Sequence, residues 1–317
     1  MRIRFISFFV LLGIMGHAAG GMAGQPGYEF LRTYVGARPA AMGGAFLSIT
    51  GDVHSVYYNP AALASLNSQQ LTFSYLNSFL DFQSGFLAYS RRLEKYGHFG
   101  IGAHFQSYGD FTETDEAGNE VGKFSAGDLL VMGDYAFKFS EDFYLGVSLK
   151  FIHSTLAGYT STAIAGDFGL IYRFPNQDLQ IGFGVFNFGT VTSAFIETKD
   201  DLPMNYRLGF SKKLAHLPLL LSVEGFQYQN EKFHFIVGGE FTVTPFLFLR
   251  LGYNSIGKDQ KIRSGSQFAG VSIGIGITLA NAVQFKNTFW QRFSFDYALT
   301  SAGAIGRLNR ISVGFRL

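Results

Sequence analysis

The stretch DLLVMGDYAFKFSEDFYLGVSLKF, residues 128–151, decides the fold. Apolar and polar residues alternate in it twice, on either side of Ser140-Glu141-Asp142. Alternation with a period of two is typical of a β-strand whose two faces meet different surroundings. One face carries Leu129, Val131, Gly133, Tyr135, Phe137 and Phe139, then Phe143, Leu145, Val147, Leu149 and Phe151, while Asp128, Met132, Asp134, Lys138, Gly146, Ser148 and Lys150 lie opposite. The stretch therefore predicts two antiparallel strands joined by a short turn.

The same pattern recurs from residue 68 to the end of the chain. It predicts about fourteen strands. Their approximate ranges are 70–77, 84–93, 97–107, 126–139, 143–154, 160–174, 178–188, 204–213, 217–228, 232–243, 246–254, 267–279, 288–298 and 306–317. The last strand alternates up to Leu317, so it can pair with the first strand and close the sheet. An open edge is not tolerated in lipid.

Composition limits the class of protein. Of the 317 residues, 17% are aromatic and only 15% are charged, against about 25% charged in typical soluble proteins. The chain has no cysteine, which excludes disulfides and thiolate metal sites. Without Arg2 and Arg4, basic and acidic residues are equal at 23 each, so we expect no nucleic-acid partner.

The N-terminus is typical of an exported protein. Arg2 and Arg4 precede the apolar run Phe5 to Met15, and Gly21-Met22-Ala23 is a plausible cleavage site. We therefore predict a signal peptide over residues 1–23. The alternative is an N-terminal membrane anchor, but the apolar run is shorter than the roughly 20 residues that a spanning helix needs.

An exported chain this apolar, with no predicted membrane helix, favours a transmembrane β-barrel. Alternation alone also fits a soluble sandwich with its apolar face inside. In a barrel the apolar face meets lipid instead. Long connections at residues 108–125, 189–203 and 255–266 alternate with short turns, as in outer-membrane barrels, although residues 229–231 and 280–287 depart from this pattern.

No group of residues predicts catalysis. The G-x-S-x-G match at Gly270–Gly274 lies within a predicted strand, whereas a nucleophile elbow needs a sharp strand-to-helix turn. Ser148 and Lys150 share the polar face of one strand. The acidic segment 109–127 leaves calcium open, but its spacing matches no known calcium loop. We predict no enzyme activity, no cofactor and no metal site.

Charged residues of both signs lie on the polar strand faces. They either line a polar passage or anchor a plug, and we favour the plug because the chain supplies one. The candidates are Asp134, Lys150, Asp167, Arg173, Glu240, Arg250, Arg292 and Asp296. Apolar candidates for the lumen are Ile152, Ile171, Ile236 and Trp290.

The predicted plug precedes the strands. Residues 36–64, GARPAAMGGAFLSITGDVHSVYYNPAALA, are rich in small residues, which suits a backbone threaded through a crowded lumen. Pro60 disfavours helix at Asn59 and can begin a helical turn over residues 61–64. We predict that the turn bonds to polar groups of the lumen. The motif residues are Arg38, Pro39, Gly43, Gly44, Asn59, Pro60 and Ala61.

Several stretches together resemble the PorV/PorQ family of outer-membrane proteins. They are Tyr28-Glu29-Phe30-Leu31, GARPAAMGGAF (36–46), YYNPAALA (57–64), YGDFTETDEAGN (108–119), GKFSAGD (122–128) and LGFSKKLAH (208–216). The resemblance implies a FadL-like barrel of about fourteen strands with an N-terminal hatch. It also implies a non-enzymatic scaffold in type IX secretion and surface attachment, with PorU-, PorV- and PorZ-like partners. A short turn replaces the charged insertion that some relatives carry near residues 227–232.

The expected organisation is a signal peptide over residues 1–23, a hatch over 24–67 and a barrel over 68–317. The expected location is the outer membrane of a Gram-negative-type bacterium, in contact with its lipid. The expected function is the secretion scaffold. The alternative is a FadL-like channel for hydrophobic small molecules. It is supported by the Asn59-Pro60-Ala61 element of the hatch, which resembles an element of FadL-type barrels.

Overall fold

The computed structural model describes residues 27–78, 82–258, 268–279, 289–301 and 306–317, so the predicted signal peptide lies outside the described residues. Fourteen strands make up most of the chain. They are β1 (Gln70–Asn77), β2 (Gln83–Leu93), β3 (Gly97–Thr114), β4 (Glu120–Lys138), β5 (Phe143–Leu156), β6 (Tyr159–Phe174), β7 (Leu179–Ser193), β8 (Asn205–Lys213), β9 (Leu219–Tyr228), β10 (Phe233–Thr244), β11 (Leu247–Asn254), β12 (Val271–Thr278), β13 (Phe293–Ser301) and β14 (Arg307–Arg316).

The sheet is a closed antiparallel barrel in which each strand pairs with its neighbours in sequence. Closure is made by β1 and β14, which pair from Gln70 with Arg316 to Asn77 with Asn309. The backbone groups of both edge strands are thereby satisfied, as lipid requires. The predicted fold class, a transmembrane barrel of about fourteen strands with a plugged lumen, is confirmed.

The alternating pattern places the large apolar side chains outside. The predicted apolar face of the opening stretch is exposed at Leu129, Val131 and Tyr135, and Leu149 is 68% exposed. Between them, Leu130, Met132 and Ala136 are buried inside the barrel. This arrangement is the reverse of a soluble protein and suits an exterior in contact with lipid.

The barrel has two unlike ends, which we call upper and lower. The odd-numbered strands end at the upper end, where the even-numbered strands begin. The even-numbered strands end at the lower end, where β1 begins and β14 ends. Among the described residues, no helix is long and apolar enough to span a membrane.

Residues 27–67 lie inside this wall as short helical turns and extended links. The turns are a 3-10 turn at Glu29–Arg32, α1 (Ala37–Ala41), α2 (Ser55–Tyr58) and a 3-10 turn at Pro60–Ser65. Phe30, Met42, Phe46 and Leu63 are among the largest fully buried side chains of the described residues. We keep the name hatch for this segment, which supplies much of the core that the barrel encloses.

Inward-facing glycines let the hatch backbone approach the wall. A Cβ at Gly146 would lie 2.3 Å from the Ala61 nitrogen, and one at Gly252 would lie 2.1 Å from the Gly43 nitrogen. Similar close approaches to hatch atoms occur at Gly169, Gly182, Gly238 and Gly274. Since each contact involves hatch backbone or a hatch side chain, the wall and the hatch are shaped to one another.

The structure differs from the sequence-based prediction at the β3–β4 connection and at two residues before β13. Residues 108–125 were expected to be a loop, but β3 continues to Thr114 and β4 starts at Glu120. The rings of Phe111 and Phe124 stack across this hairpin at 5.3 Å, so the alternation extends past the barrel body. Trp290 and Arg292 lie in a 3-10 turn below β13 and are exposed, so neither lines the lumen.

Candidate functional site

A cavity of about 1130 Å³ lies between the hatch and the upper end of the barrel. Hatch residues from Glu29 to Tyr34, with Tyr57 and Tyr58, form one side of it. The opposite sides come from the upper halves of strands, for example Phe226 and Ile236 on β9 and β10. The cavity therefore exists because the hatch fills the lower lumen and leaves the upper lumen free.

Aromatic side chains are the common feature of the cavity wall. They are Phe30, Tyr34, Tyr57, Tyr58, Phe82, Tyr108, Phe111, Phe186, Phe226 and Tyr228. Apolar cavities with a few placed polar groups are the usual form of small-molecule sites. Here the rings supply apolar area, and several also pack on one another, such as Tyr57 on Tyr58 at 5.3 Å.

The hatch is tied to the wall by Arg38. Its Nη2 and Nε donate to the two carboxylate oxygens of Glu240 on β10, at 2.7 and 2.8 Å. Its Nη1 donates to Asp52 at 2.8 Å. Such a two-pronged Arg–carboxylate contact fixes orientation as well as adding energy.

Asp52 joins this contact to the imidazole of His54. Its Oδ1 is 2.7 Å from His54 Nδ1 and accepts from the His54 backbone nitrogen at 2.8 Å. Burial alone raises the pKa of Asp52, but His54 and Arg38 outweigh it and hold that pKa well below its usual range. The carboxylate is therefore ionised at neutral pH.

Two further predicted lumen residues extend the same network. Arg250 donates to Glu240 at 2.6 Å and to Asp296 at 2.6 Å. The predicted residues Glu240, Arg250 and Asp296 thus form one chain of charges across β10, β11 and β13, and the predicted motif residue Arg38 completes it.

A second charged group lies on β4 to β7. Lys150 pairs with Asp167 at 2.7 Å and donates to Asn187 at 2.8 Å. Asp134 accepts a hydrogen bond from Ser148 on the neighbouring strand. Arg173 is partly buried lower in the barrel and donates to the Tyr144 hydroxyl at 2.6 Å. All the predicted lumen charges except Arg292 therefore face inward.

The remaining motif residues shape the hatch. Asn59 accepts from the Ala61 nitrogen at 3.1 Å and donates to the carbonyl oxygens of Leu47, at 2.8 Å, and Leu170, at 3.4 Å. Pro60 begins the following 3-10 turn. Gly43 and Gly44 have φ of +67° and +89°, which disfavours other residues there. Pro39 is buried within α1.

The other sequence motifs have structural roles. Ser272, within the G-x-S-x-G match, is the second residue of β12, and Gly270 lies in the turn before that strand. In the acidic segment, Asp115 accepts from the backbone nitrogens of Ala117 and Asn119, so it stabilises a turn. Within the described part of the chain, no group of three or more His, Cys, Asp or Glu is arranged to hold a metal ion.

Sequence reasoning missed three inward-facing arginines. Arg207 pairs with Glu224 at 3.0 Å, and Arg32 pairs with Glu231 at 2.7 Å. Arg310 is 4% exposed and lines the cavity. Alternation was sufficient to find Arg310, because it precedes the outward Ile311 and has the same parity as the inward Ser312.

A closed transmembrane barrel with an internal hatch and a cavity above it defines the class of this protein. Comparison with solved structures places the fold beside FadL-type barrels. The Ralstonia pickettii toluene transporter TbuX has 14% identity and a TM-score of 0.61, over 89% of this chain and 98% of that one. The Pseudomonas putida toluene transporter TodX has 12% identity and a TM-score of 0.57, over 88% and 96%. A Pseudomonas aeruginosa FadL homologue has 11% identity and a TM-score of 0.56, over 88% and 97%.

At these identities the likeness concerns the fold alone. No family model matches the sequence. No curated protein matches it either. The PorV/PorQ resemblance therefore rests on the short sequence motifs alone.

Proposed function

We propose that the protein is an outer-membrane channel that takes up hydrophobic small molecules. The observation that carries this proposal is the aromatic-lined cavity of about 1130 Å³ above the hatch. Its volume is slightly above the range of about 300–1,000 Å³ that is usual for small-molecule sites. The charge chain from Arg38 to Asp296 lies below it, within the hatch-filled lumen, and not in its wall.

The names of the structural neighbours support the same reading. TbuX and TodX are described as toluene transporters, and another neighbour, CymD, as a monoaromatic hydrocarbon channel. None of these is described as an enzyme, which is consistent with a non-enzymatic role here. A secretion scaffold with PorU-, PorV- and PorZ-like partners receives no comparable support, so the channel replaces it as the main proposal.

The proposed location is the outer membrane, with the upper end outside the cell. The apolar exterior suits lipid, and the long β3–β4 hairpin lies at the upper end, where outer-membrane barrels carry their longer connections. We propose that residues 1–23 are removed as a signal peptide, that residues 24–67 are the hatch, and that residues 68–317 form the barrel.

Uptake by cells tests the channel. A deletion strain would be compared with the same strain carrying the intact gene, using radiolabelled toluene and a hydrophilic sugar as probes. The gene is expected to increase toluene uptake and leave sugar uptake unchanged, since the hatch closes the lumen to water-soluble molecules. Equal toluene uptake with and without the gene would contradict the proposal, and recovery of a secretion complex in that case would support the scaffold.

A further inference from the structure

Among the described residues that line the cavity, Arg310 lacks the carboxylate partner that the neighbouring cations have. Arg32, Lys150 and Arg207 each pair with a carboxylate, at 2.7, 2.7 and 3.0 Å. Arg310 is 4% exposed, and its Nη1 has no hydrogen-bond partner. Among the described residues, no carboxylate pairs with Arg310. A buried guanidinium stays charged and is costly to leave uncompensated.

The described groups around Arg310 do not supply the missing charge. Those that interact with it electrostatically include the hydroxyls of Tyr58, Tyr34 and Tyr57. Burial raises the pKa of all three hydroxyls, so they stay neutral. The Tyr58 hydroxyl is bonded to the Val35 backbone, and the Tyr57 hydroxyl donates to the Leu31 carbonyl.

A second unpartnered polar atom lies beside Arg310 on the same inner face. Thr300 on β13 opposes Leu308 on β14, which places it diagonally next to Arg310. Diagonal neighbours of this kind are about 7–8 Å apart. Its buried Oγ1 has no hydrogen-bond partner in the described part of the chain, and Thr300 also lines the cavity. Arg310 and Thr300 together present two free donors at one place.

We infer that Arg310 and Thr300 form an anion site for the carboxylate of an aromatic acid. The carboxylate accepts from Arg310 Nη1 and Thr300 Oγ1, and the aromatic body packs among the rings of Tyr34, Tyr57 and Tyr58. Carboxylate and guanidinium form strong charge-assisted hydrogen bonds, and aromatic pairs add to the area they bury. The inference rests on the proposed function by naming the class of molecule that the cavity holds.

Equilibrium dialysis of the full barrel in detergent micelles tests this site. The probes are 2-naphthoate, the neutral 2-naphthalenemethanol and the alkyl acid decanoate, each corrected with protein-free micelles. We expect 2-naphthoate to bind most tightly, about tenfold or more above 2-naphthalenemethanol, given the strength of hydrogen bonds to charged groups. Arg310→Gln should abolish this preference, and Arg310→Lys should retain part of it.

Arg91→Gln is the matched control, because Arg91 is exposed near the lower end of β2 and should leave all affinities unchanged. If Arg310→Gln fails to fold, Thr300→Val takes its place. Equal binding of the acid and the alcohol, tighter binding of decanoate, or unchanged 2-naphthoate binding in Arg310→Gln overturns the inference. Binding is measured without transport, so the binding result does not depend on whether cells take up toluene.

Discussion

The guanidinium of Arg38, in the hatch, contacts both carboxylate oxygens of Glu240, in the barrel wall, at 2.7 and 2.8 Å. This contact joins two parts of the chain that are 202 residues apart. It also brings together a residue of the hatch motif and a residue of the alternating strands. The hatch is therefore held by specific charges as well as by apolar packing.

Replacing Arg38 with Gln is expected to destabilise the protein by about 3–5 kcal/mol, the usual cost of removing one partner of a buried ion pair. Glu240 keeps Arg250, so the loss should fall toward the lower end of that range. Urea unfolding, with heat-modifiable migration on a gel as the readout of the folded barrel, measures the change in stability. Arg91→Gln, at an exposed position, should have little effect. Equal loss in both variants would show that Arg38 does not hold the hatch.

The pKa of Asp52 predicts how this contact responds to acid. Because the pKa is lower in the folded protein than in the unfolded chain, the ionised carboxylate stabilises the fold above the unfolded value of about 4. This stabilisation is lost as the pH falls through the folded value. The difference in free energy of unfolding between the wild type and Asp52→Asn should shrink as the pH falls below about 4. A difference that grows on acidification would contradict the assignment.

The inward-facing glycines predict that valine substitutions on two neighbouring strands differ sharply in their effect on stability. Gly146 on β5 faces the hatch, where a Cβ would lie 2.3 Å from the Ala61 nitrogen, whereas a Cβ at Gly133 on β4 meets nothing within 4 Å. Gly146→Val should destabilise the barrel by about 1–3 kcal/mol or more, as overpacking does. Gly133→Val should be nearly neutral. Urea unfolding of both variants decides, and similar stability of the two would mean that the hatch does not pack on β5.

A disulfide tests the position of the hatch directly. A Cβ built at Gly209 lies 3.5 Å from the Leu47 Cβ, which is within the range for a disulfide. The natural chain has no cysteine, so the Leu47→Cys/Gly209→Cys double variant carries a single possible pair. Oxidation should link residue 47 to β8, as shown by mass spectrometry of proteolytic fragments. Free thiols in the folded, oxidised barrel would place residue 47 away from the wall.

Much of this fold follows from the sequence because one property of the chain, period-two alternation, specifies strand, face and register together. The inward positions of Asp134, Lys150 and Glu240 follow from it directly. The same rule fails at Arg292 and Trp290, which precede β13 in a 3-10 turn where period-two alternation no longer applies. Alternation also does not predict where β3 ends and β4 begins. Their hairpin continues through polar residues and is supported by the Phe111–Phe124 contact.

The hatch was predictable as a segment but not in its contacts. Small residues and Pro60 indicate a tightly packed, irregular backbone. The pairing of Arg38 with Glu240 depends on how the barrel closes, which no local pattern contains. The cavity and its unpaired Arg310 likewise arise only once the hatch fills the lower lumen, so sequence reasoning could not place a ligand site there.

Toluene uptake by a variant with a larger side chain in the cavity is the most direct test of whether hydrophobic molecules pass through it. Leu308→Trp adds a large side chain at the cavity wall, and the control Leu149→Trp adds the same side chain on the outer surface, where Leu149 is 68% exposed. Both variants would be expressed in the deletion strain at equal levels. We expect Leu308→Trp to lower uptake toward that of the deletion strain and Leu149→Trp to retain wild-type uptake. Wild-type uptake by Leu308→Trp would contradict the proposal that hydrophobic molecules pass through this cavity.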